Sequence, residues 1–245
     1  MDAYNFVVLV LFIIAVLFAW RLYVKEYPGR SYSHIKMISR VAIFGAMSTI
    51  LYIVPIFKLR LPIFPSFLEL HFDEIPAFIT GFAYGPLAGV AVIAIKTIIK
   101  LPMSSTLMVG ELTDLILSGI YVFVAAFIYK RIRNLKGVAI AFGASTLLQV
   151  FIAMALNVYV MIPFYSNVMG YPLDALLGMM KAAVPSITDV GWSYAFFAVL
   201  PFNLIKDAAV IVVTFILYRS LHVFLRFEDK PKKKKTLTGD FSQKQ

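Results

Sequence analysis

The sequence predicts an all-α membrane protein: a six-transmembrane-helix core plus one extra N-terminal transmembrane helix. Hydrophobic residues make up 61% of its 245 residues and charged residues only 15%, whereas soluble domains are nearer half apolar and a quarter charged. Apolar stretches close to the ~20 residues that cross a bilayer recur along the chain. Most basic residues gather in three segments between or after these stretches, and such a distribution orients membrane helices.

The first predicted span, residues 6–20, carries no charge and is closed by Arg21. It lacks the basic amino-terminal region and the small-residue cleavage site of a signal peptide, so we expect a retained helix. The later apolar segments cover residues 41–57, 75–101, 112–129, 138–164 and 194–217.

Segment 75–101 is either one long helix or two short ones. Gly85-Pro86 lies near its middle, and the residue before a proline is disfavoured in helical geometry. With a break there, the chain crosses the membrane seven times and 17 of its 23 basic residues face the cytoplasm: five in 21–40, four in 130–136 and eight from 219 onward. Without it, the last two groups fall outside. The positive-inside rule therefore favours the break and a cytoplasmic carboxyl terminus.

The predicted organisation has four parts: an N-terminal transmembrane helix (1–24), a cytoplasmic linker (25–37), a six-helix membrane domain (38–226) and a basic cytoplasmic tail (227–245). The tail contains a run of four lysines at 232–235. We expect this run to lie next to the membrane and to contact anionic lipid.

Several functions are excluded by what the sequence lacks. It has no cysteine, which removes disulfides, thiolate nucleophiles and thiolate metal ligands, and its three histidines are too scattered to suggest a metal cluster. Neither a phosphate-binding loop G-x-x-x-x-G-K-[ST] nor the motifs H-E-x-x-H and G-x-S-x-G occur. We therefore expect that the protein is not an enzyme and has no catalytic residue, metal, cofactor or nucleic-acid partner. Uphill transport would need energy from a partner or an ion gradient.

Polar residues inside the last two predicted spans are candidate ligand contacts, because polar groups in a membrane are costly and usually functional. Asn203 and Lys206 are three residues apart and so share one helical face. An amide and an ammonium there can hydrogen-bond a carbonyl-rich planar ligand. From the predicted spans, we expect Asn157 at roughly the depth of Asn203. The alternatives are an interhelical clamp, with Lys206 paired to Asp207 or another acid, and an interhelical hydrogen bond for Asn157.

Small and hydroxyl-bearing residues supply two weaker signals. Ala42 and Ala46 form a small-residue face on the first core helix, which indicates close helix contact, with packing inside the bundle as the alternative. Ser104 and Thr106 precede the fourth core helix. Their hydroxyls can meet sugar-like hydroxyls of a ligand, or they can simply form a helix-entry loop.

At this point the motifs resemble a known family. The chain from about residue 37 to 226 resembles the riboflavin-specific substrate-binding (S) component of energy-coupling factor (ECF) transporters, a class of bacterial vitamin importers. Five segments carry the resemblance in the right order: 70–77, 81–90, 105–112, 157–165 and 201–206.

The resemblance implies a six-helix fold with an external vitamin pocket. The family's flavin-contacting asparagines and lysine fall on Asn157, Asn203 and Lys206, and its first-loop ligand contacts fall near Leu70. The first external loop and the loop 166–191 are expected to close over the ligand.

The family's Ala-x-x-x-Ala contact with the transmembrane coupling subunit (the T component) falls on Ala42 and Ala46. The sequence departs from the family pattern in three respects. It has the added amino-terminal helix, His71 where an acid is expected, and Asp207 where a glycine is expected.

The resemblance implies a function in vitamin uptake, and the sequence leaves two alternatives to it. The chain would capture riboflavin, or flavin mononucleotide, outside a bacterial cell membrane. Transport would need the T component and two ATP-binding cassette ATPases, and riboflavin would be cargo rather than cofactor. The alternatives are an S component for another vitamin, such as thiamine or pantothenate, and a stand-alone secondary carrier driven by ions through Lys206, Asp207 and Glu111.

Overall fold

In a computed structural model, the backbone is described for residues 34–227 and the side chains for residues 37–134 and 136–217. The predicted amino-terminal helix (1–24), most of the linker and almost all of the basic tail lie outside the described residues. The first described helix begins at His34, within the segment predicted as the linker.

The described residues are mostly helical. The helices are α1 (His34–Ile53), α2 (Glu74–Tyr84), α3 (Pro86–Lys100), α4 (Val109–Arg131), α5 (Leu135–Leu156), α6 (Ile162–Asn167), α7 (Leu173–Ala183), α8 (Trp192–Tyr194) and α9 (Leu200–Phe227). Short 3-10 turns lie at Pro55–Phe57 and Leu101–Met103. Between α1 and α2, the two-residue strands β1 (Leu59–Arg60) and β2 (Glu69–Leu70) pair antiparallel.

Four helical segments are long and apolar enough to cross a membrane: Pro86–Met103, Val109–Arg131, Lys136–Asn167 and Trp192–Leu217. A shorter apolar helix covers Met37–Ile53. This confirms an all-α membrane protein with several apolar helices, while the count of six core crossings plus one stays a prediction.

The predicted break at Gly85-Pro86 is confirmed. Helix α2 ends at Tyr84, and Gly85 has a φ of 113°, a backbone conformation that favours glycine. Pro86 then begins α3, where its missing N–H removes no helical hydrogen bond. The chain therefore turns back between two short helices.

Two glycines allow α2 and α3 to pack closely. A Cβ atom on Gly89 would lie 2.8 Å from the Ala77 carbonyl oxygen and 3.1 Å from the Gly81 Cα atom. Only a residue without a side chain fits there, as at the close helix contacts of other membrane proteins. The α2–α3 hairpin brings the first turn of α2 against α9, where the site described below lies.

Two π turns interrupt the last two long helices. Asn157–Met161 joins α5 to α6, and Ala195–Val199 joins α8 to α9. Each turn is followed by a proline, Pro163 or Pro201, whose ring cannot continue the regular i to i−4 ladder. Such turns are frequent at functional sites.

The interior contains two apolar clusters. The first joins the loop after α1 to the last two long helices. Its buried members include Phe64, Leu70, Met154, Met180, Tyr194, Val199 and Phe202. The second joins α2, α4 and α5 through edge-to-face aromatic contacts, with Phe78 ring centroids 4.7 Å from Tyr121 and 5.1 Å from Phe142. Large apolar side chains such as Ile43 and Phe151 also cover the outer surface, as expected of a chain surrounded by lipid.

Candidate functional site

The inward face of α9 carries the polar residues that the spacing predicts. Asn203 and Lys206 are both buried, each with 7% of its surface exposed. Their three-residue separation places them on one side of the helix, and that side packs against α2 and α5. The structure thus turns their predicted shared face inward, whereas their contact with a ligand stays a prediction.

Asn203 is held by a residue that the sequence analysis missed. Its Nδ2 donates to the Val199 carbonyl oxygen over 2.8 Å, and its Oδ1 accepts a hydrogen bond of 3.0 Å from Nε2 of Gln149. Gln149 lies on α5, is fully buried, and its Oε1 has no hydrogen-bond partner among the described residues. The sequence did contain a signal for Gln149, because it is a lone glutamine inside the apolar segment 138–164.

Asn157 lies in the π turn that follows α5. Its Nδ2 donates to the Ala153 carbonyl oxygen over 2.8 Å, and its Oδ1 accepts a hydrogen bond of 3.2 Å from the buried Tyr194 hydroxyl. The interhelical hydrogen bond that the sequence offered as the alternative for Asn157 is thus present. Tyr194 was not singled out from the sequence.

The two asparagines do not lie at the same depth, so that expectation is wrong. Asn157 pairs with Tyr194, whereas Asn203 pairs with Gln149. Gln149 and Asn157 are eight residues apart, which is about 12 Å along a helix. The same two helical segments therefore carry two separate polar contacts. Leu70, from the loop after α1, is buried with Tyr194 in the first apolar cluster and so lies near the Asn157 contact.

Lys206 forms an ion pair with an acid at the start of α2. Its Nζ lies 2.6 Å from Oε1 of Glu74, which also accepts a hydrogen bond of 3.0 Å from the Ser118 hydroxyl on α4. Glu74 is only 1% exposed. This is the interhelical pairing of Lys206 with another acid that the sequence left open, and the partner is Glu74 rather than Asp207.

A second set of buried charges continues from Ser118. The Ser118 hydroxyl lies 3.3 Å from Oδ1 of Asp114, and Oδ2 of Asp114 lies 2.8 Å from Nζ of Lys96. Lys96 also pairs with Asp73 at the amino-terminal end of α2. The ion pairs thus tie α2, α3, α4 and α9 together. Buried charges persist in such an interior when they are paired and hydrogen-bonded.

Asp207 differs from these acids. It is fully buried, yet neither of its carboxylate oxygens has a hydrogen-bond partner within the described part of the chain.

The β1–β2 hairpin carries its own charged group. The Glu69 carboxylate is contacted by Nε2 of His71 at 3.3 Å, by Arg60, and by Nζ of Lys58 at 3.5 Å. The His71 hydrogen bond, followed by those of Arg60 and the charge of Lys58, lowers the pKa of Glu69 to about 2 despite partial burial. His71, one of the three departures from the family pattern, thus has a local role in the loop. Its ring also packs edge-to-face on Tyr52 with centroids 5.2 Å apart.

The hydroxyls before α4 are committed to the protein. Ser104 and Thr106 both donate to Oε2 of Glu111, over 2.5 and 3.1 Å. Ser104 also accepts from the Met108 backbone N–H. The helix-entry role that the sequence left open is thus the one seen, and the carboxylate complements the positive end of the helix.

Ala42 and Ala46 are exposed on the outer face of α1. The alternative of packing inside the bundle is therefore wrong for these two residues. Gly45, between them, faces inward, where an added Cβ atom would lie 2.9 Å from the Ile95 side chain. Among the described residues, no group of three or more histidines and acids is arranged to hold a metal ion.

The family model described as "ECF transporter, substrate-specific component" matches residues 36–218. The chain belongs to this family. It is a family of transport components, so the prediction that the chain is not an enzyme is confirmed.

Three relatives and one solved structure show how far the similarity extends. "Riboflavin transporter RibU" of Staphylococcus aureus is 25% identical over 81% of this chain and 98% of that protein. "Riboflavin transporter FmnP" of Bacillus subtilis is 25% identical over 75% and 92%, and RibU of Lactococcus lactis is 25% identical over 68% and 83%. The solved structure, of the S component of a bacterial ECF transporter, superimposes with a TM-score of 0.62 at 24% identity, covering 79% of this chain and 99% of that one.

Proposed function

We propose that this S component captures riboflavin, or flavin mononucleotide, from outside the cell. The observation that carries the proposal is the similarity to relatives named riboflavin transporters, which extends over 98% of one of them and 92% of another. The buried amide and ammonium groups of Asn203 and Lys206 are consistent with it. No comparable observation favours thiamine, pantothenate or ion-coupled transport.

The proposed ligand contacts are Leu70, Asn157, Asn203 and Lys206. The isoalloxazine ring of riboflavin is flat, has apolar faces and carries an amide-like edge. Leu70 and the other members of the first apolar cluster would cover the faces, while Asn203 and Lys206 would hydrogen-bond the edge. Asn157, at the separate polar contact with Tyr194, would hydrogen-bond another polar part of the ligand. Because a buried polar group left without a partner costs about 1–3 kcal/mol, analogues that lack this edge would bind less tightly.

Loop 166–191 is proposed to close over the ligand with the first external loop. It contains helix α7, and Met180 of that helix is buried in the same cluster as Leu70 and Phe64 of the first loop. The two loops thus already share one apolar surface, and moving them apart would open a route from outside to Asn157.

The transport step is proposed to require a T component and two ATP-binding cassette ATPases, because this chain has no phosphate-binding loop. Ala42 and Ala46 would contact the T component, since both are exposed on α1. In this arrangement the protein spans a bacterial cell membrane with six core helices and one added helix, and its carboxyl terminus is cytoplasmic. Riboflavin is its cargo, and it has no cofactor.

The colour of the purified protein tests the ligand. The detergent-solubilised chain from cells grown with riboflavin should carry a yellow, fluorescent ligand that thiamine and pantothenate do not displace. A colourless protein that binds either of those vitamins instead would overturn the proposal. Riboflavin uptake by cells that lack the ATPases would contradict the assembly and favour an ion-coupled carrier.

A paired variant tests the coupling surface. Replacing both Ala42 and Ala46 by leucine enlarges the exposed face of α1 without touching the buried site. We expect riboflavin affinity to stay within about twofold of the wild type, because distant sites that share no partners couple only weakly. Uptake and co-purification with the T component should be lost. Full uptake by this variant would remove the two alanines from the proposed interface.

A further inference from the structure

Glu74 is a buried acid with one satisfied oxygen and one unsatisfied oxygen. Its Oε1 accepts from both Lys206 and Ser118, at 2.6 and 3.0 Å. Its Oε2 is buried and has no donor among the described residues. A buried acceptor without a donor is unfavourable, so this oxygen is suited to a donor that comes from outside the chain.

The neighbouring acid Asp114 provides the contrast. It belongs to the same chain of polar contacts, but its Oδ1 lies within hydrogen-bonding distance of Ser118 and its Oδ2 lies 2.8 Å from Lys96. The single Ser118 hydrogen can go either to Asp114 or to Oε1 of Glu74, which also has Lys206. Each oxygen of Asp114 thus has a possible donor in the protein, whereas Oε2 of Glu74 has none among the described residues. The unsatisfied one belongs to the acid that holds the proposed ligand residue Lys206.

Glu74 and Lys206 together present an acceptor beside a donor. The ammonium has three N–H groups, and the contact with Oε1 of Glu74 uses one of them, while Oε2 of Glu74 is an acceptor. An imide edge presents the complementary order, because each ring carbonyl that accepts is next to the ring N–H that donates. Riboflavin carries such an edge at N3 between its two ring carbonyls.

We propose that Glu74 is a ligand-contacting residue whose free carboxylate oxygen accepts the imide N–H of riboflavin, while Lys206 donates to an adjacent ring carbonyl. This assignment rests on the proposed function. It adds to the predicted site an acid on α2, and it makes recognition depend on the N3 hydrogen of the ring.

The test compares riboflavin with N3-methylriboflavin, which lacks that hydrogen. Affinities are measured by fluorescence quenching for the wild type and for Glu74→Gln. In the variant, the amide oxygen turns toward Lys206 and Ser118, so its NH2 group replaces the acceptor. The wild type should bind the methyl analogue at least about tenfold more weakly than riboflavin, as expected for a hydrogen bond to a charged group. In Glu74→Gln this ratio should fall to about one, mainly through weaker riboflavin binding.

Two further variants keep the result decisive. Glu74→Met/Lys206→Met removes both charges together, so no lone charge is left to prevent folding, and the ratio should again fall to about one. Asp174→Asn removes an exposed acid on α7, and it should keep the wild-type ratio because that side chain lies outside the buried charge cluster.

The outcomes separate this inference from the function on which it rests. A wild type that binds both flavins equally, or a ratio that survives in Glu74→Gln and in the double variant, would overturn the role of Glu74 and leave riboflavin binding intact. A wild type that binds no riboflavin would overturn the proposed function and this inference with it.

Discussion

Replacing Lys206 by methionine tests the ion pair at the centre of the site. The change leaves Glu74, which is 1% exposed, as a buried carboxylate with the Ser118 hydroxyl as its described donor. Removing one partner of a buried ion pair costs about 3–5 kcal/mol because the remaining charge is uncompensated. For a chain of this size, that corresponds to a fall in melting temperature of roughly 6–20 °C.

The double variant Glu74→Met/Lys206→Met should recover most of this loss. Replacing a whole buried ion pair by apolar residues of similar volume is often neutral, and Ser118 still has Asp114 as an acceptor. Thermal unfolding of the detergent-solubilised proteins, followed by circular dichroism, measures both variants. Lys181→Met, which removes an exposed lysine on α7, is the control and should melt with the wild type.

The reasoning is refuted if the double variant melts as low as Lys206→Met. In that case the loss would come from the lysine side chain itself rather than from the charge left on Glu74. A single variant that melts with the wild type would show that Glu74 and Lys206 do not contact each other.

Three further predictions concern other parts of the structure. Asn203→Ala should weaken riboflavin binding at least about tenfold in a quenching titration, because it removes a proposed ligand contact and leaves Gln149 unpaired. Gly89→Ala should lower the free energy of unfolding by about 1–3 kcal/mol, since the new Cβ atom would meet backbone 2.8 Å away. Lowering the pH from about 4.3 to 2 should reduce the stability of the β1–β2 hairpin. Folding lowers the Glu69 pKa from its unfolded value to about 2, so the stabilising charge is lost over this range.

Each of these has a matched control and a result that contradicts it. Unchanged affinity of Asn203→Ala would remove that residue from the site. Gly143→Ala adds a Cβ atom with nothing within 4 Å and should stabilise its helix slightly, so an equal loss at both glycines would refute the packing argument. For the hairpin, the contribution of Glu69 is complete above its unfolded pKa and lost on acidification through pH 2, so Glu69→Gln should flatten that part of the stability profile. An unchanged profile would contradict the pKa assignment.

The α2–α3 hairpin could be predicted because two independent signals agree. Gly85-Pro86 breaks the helix locally, and the distribution of basic residues requires the chain to turn there. That Asn203 and Lys206 share one face of their helix likewise follows from helical periodicity alone. Helix breaks, helical faces and membrane orientation depend on short stretches of sequence, so they can be predicted without knowing the fold.

The partners of those residues could not be predicted in the same way. Glu74 lies 132 positions before Lys206 in the sequence and, beside Asp73, it reads as part of a solvated helix entrance. Only the packing of α2 against α9 buries it. The depth of Asn157 relative to Asn203 could not be predicted correctly from hydropathy. Hydropathy marks roughly where each helix ends, but it does not show how two helices are shifted along each other.

The most direct test of the account is a titration of the purified chain with riboflavin, followed by quenching of riboflavin fluorescence. The account predicts saturable quenching with one riboflavin per chain, and a marked loss of affinity in both Asn203→Ala and Glu74→Gln. Fluorescence that the wild-type protein leaves unchanged up to micromolar concentrations would contradict the claim that these buried amide and charged groups form a flavin site.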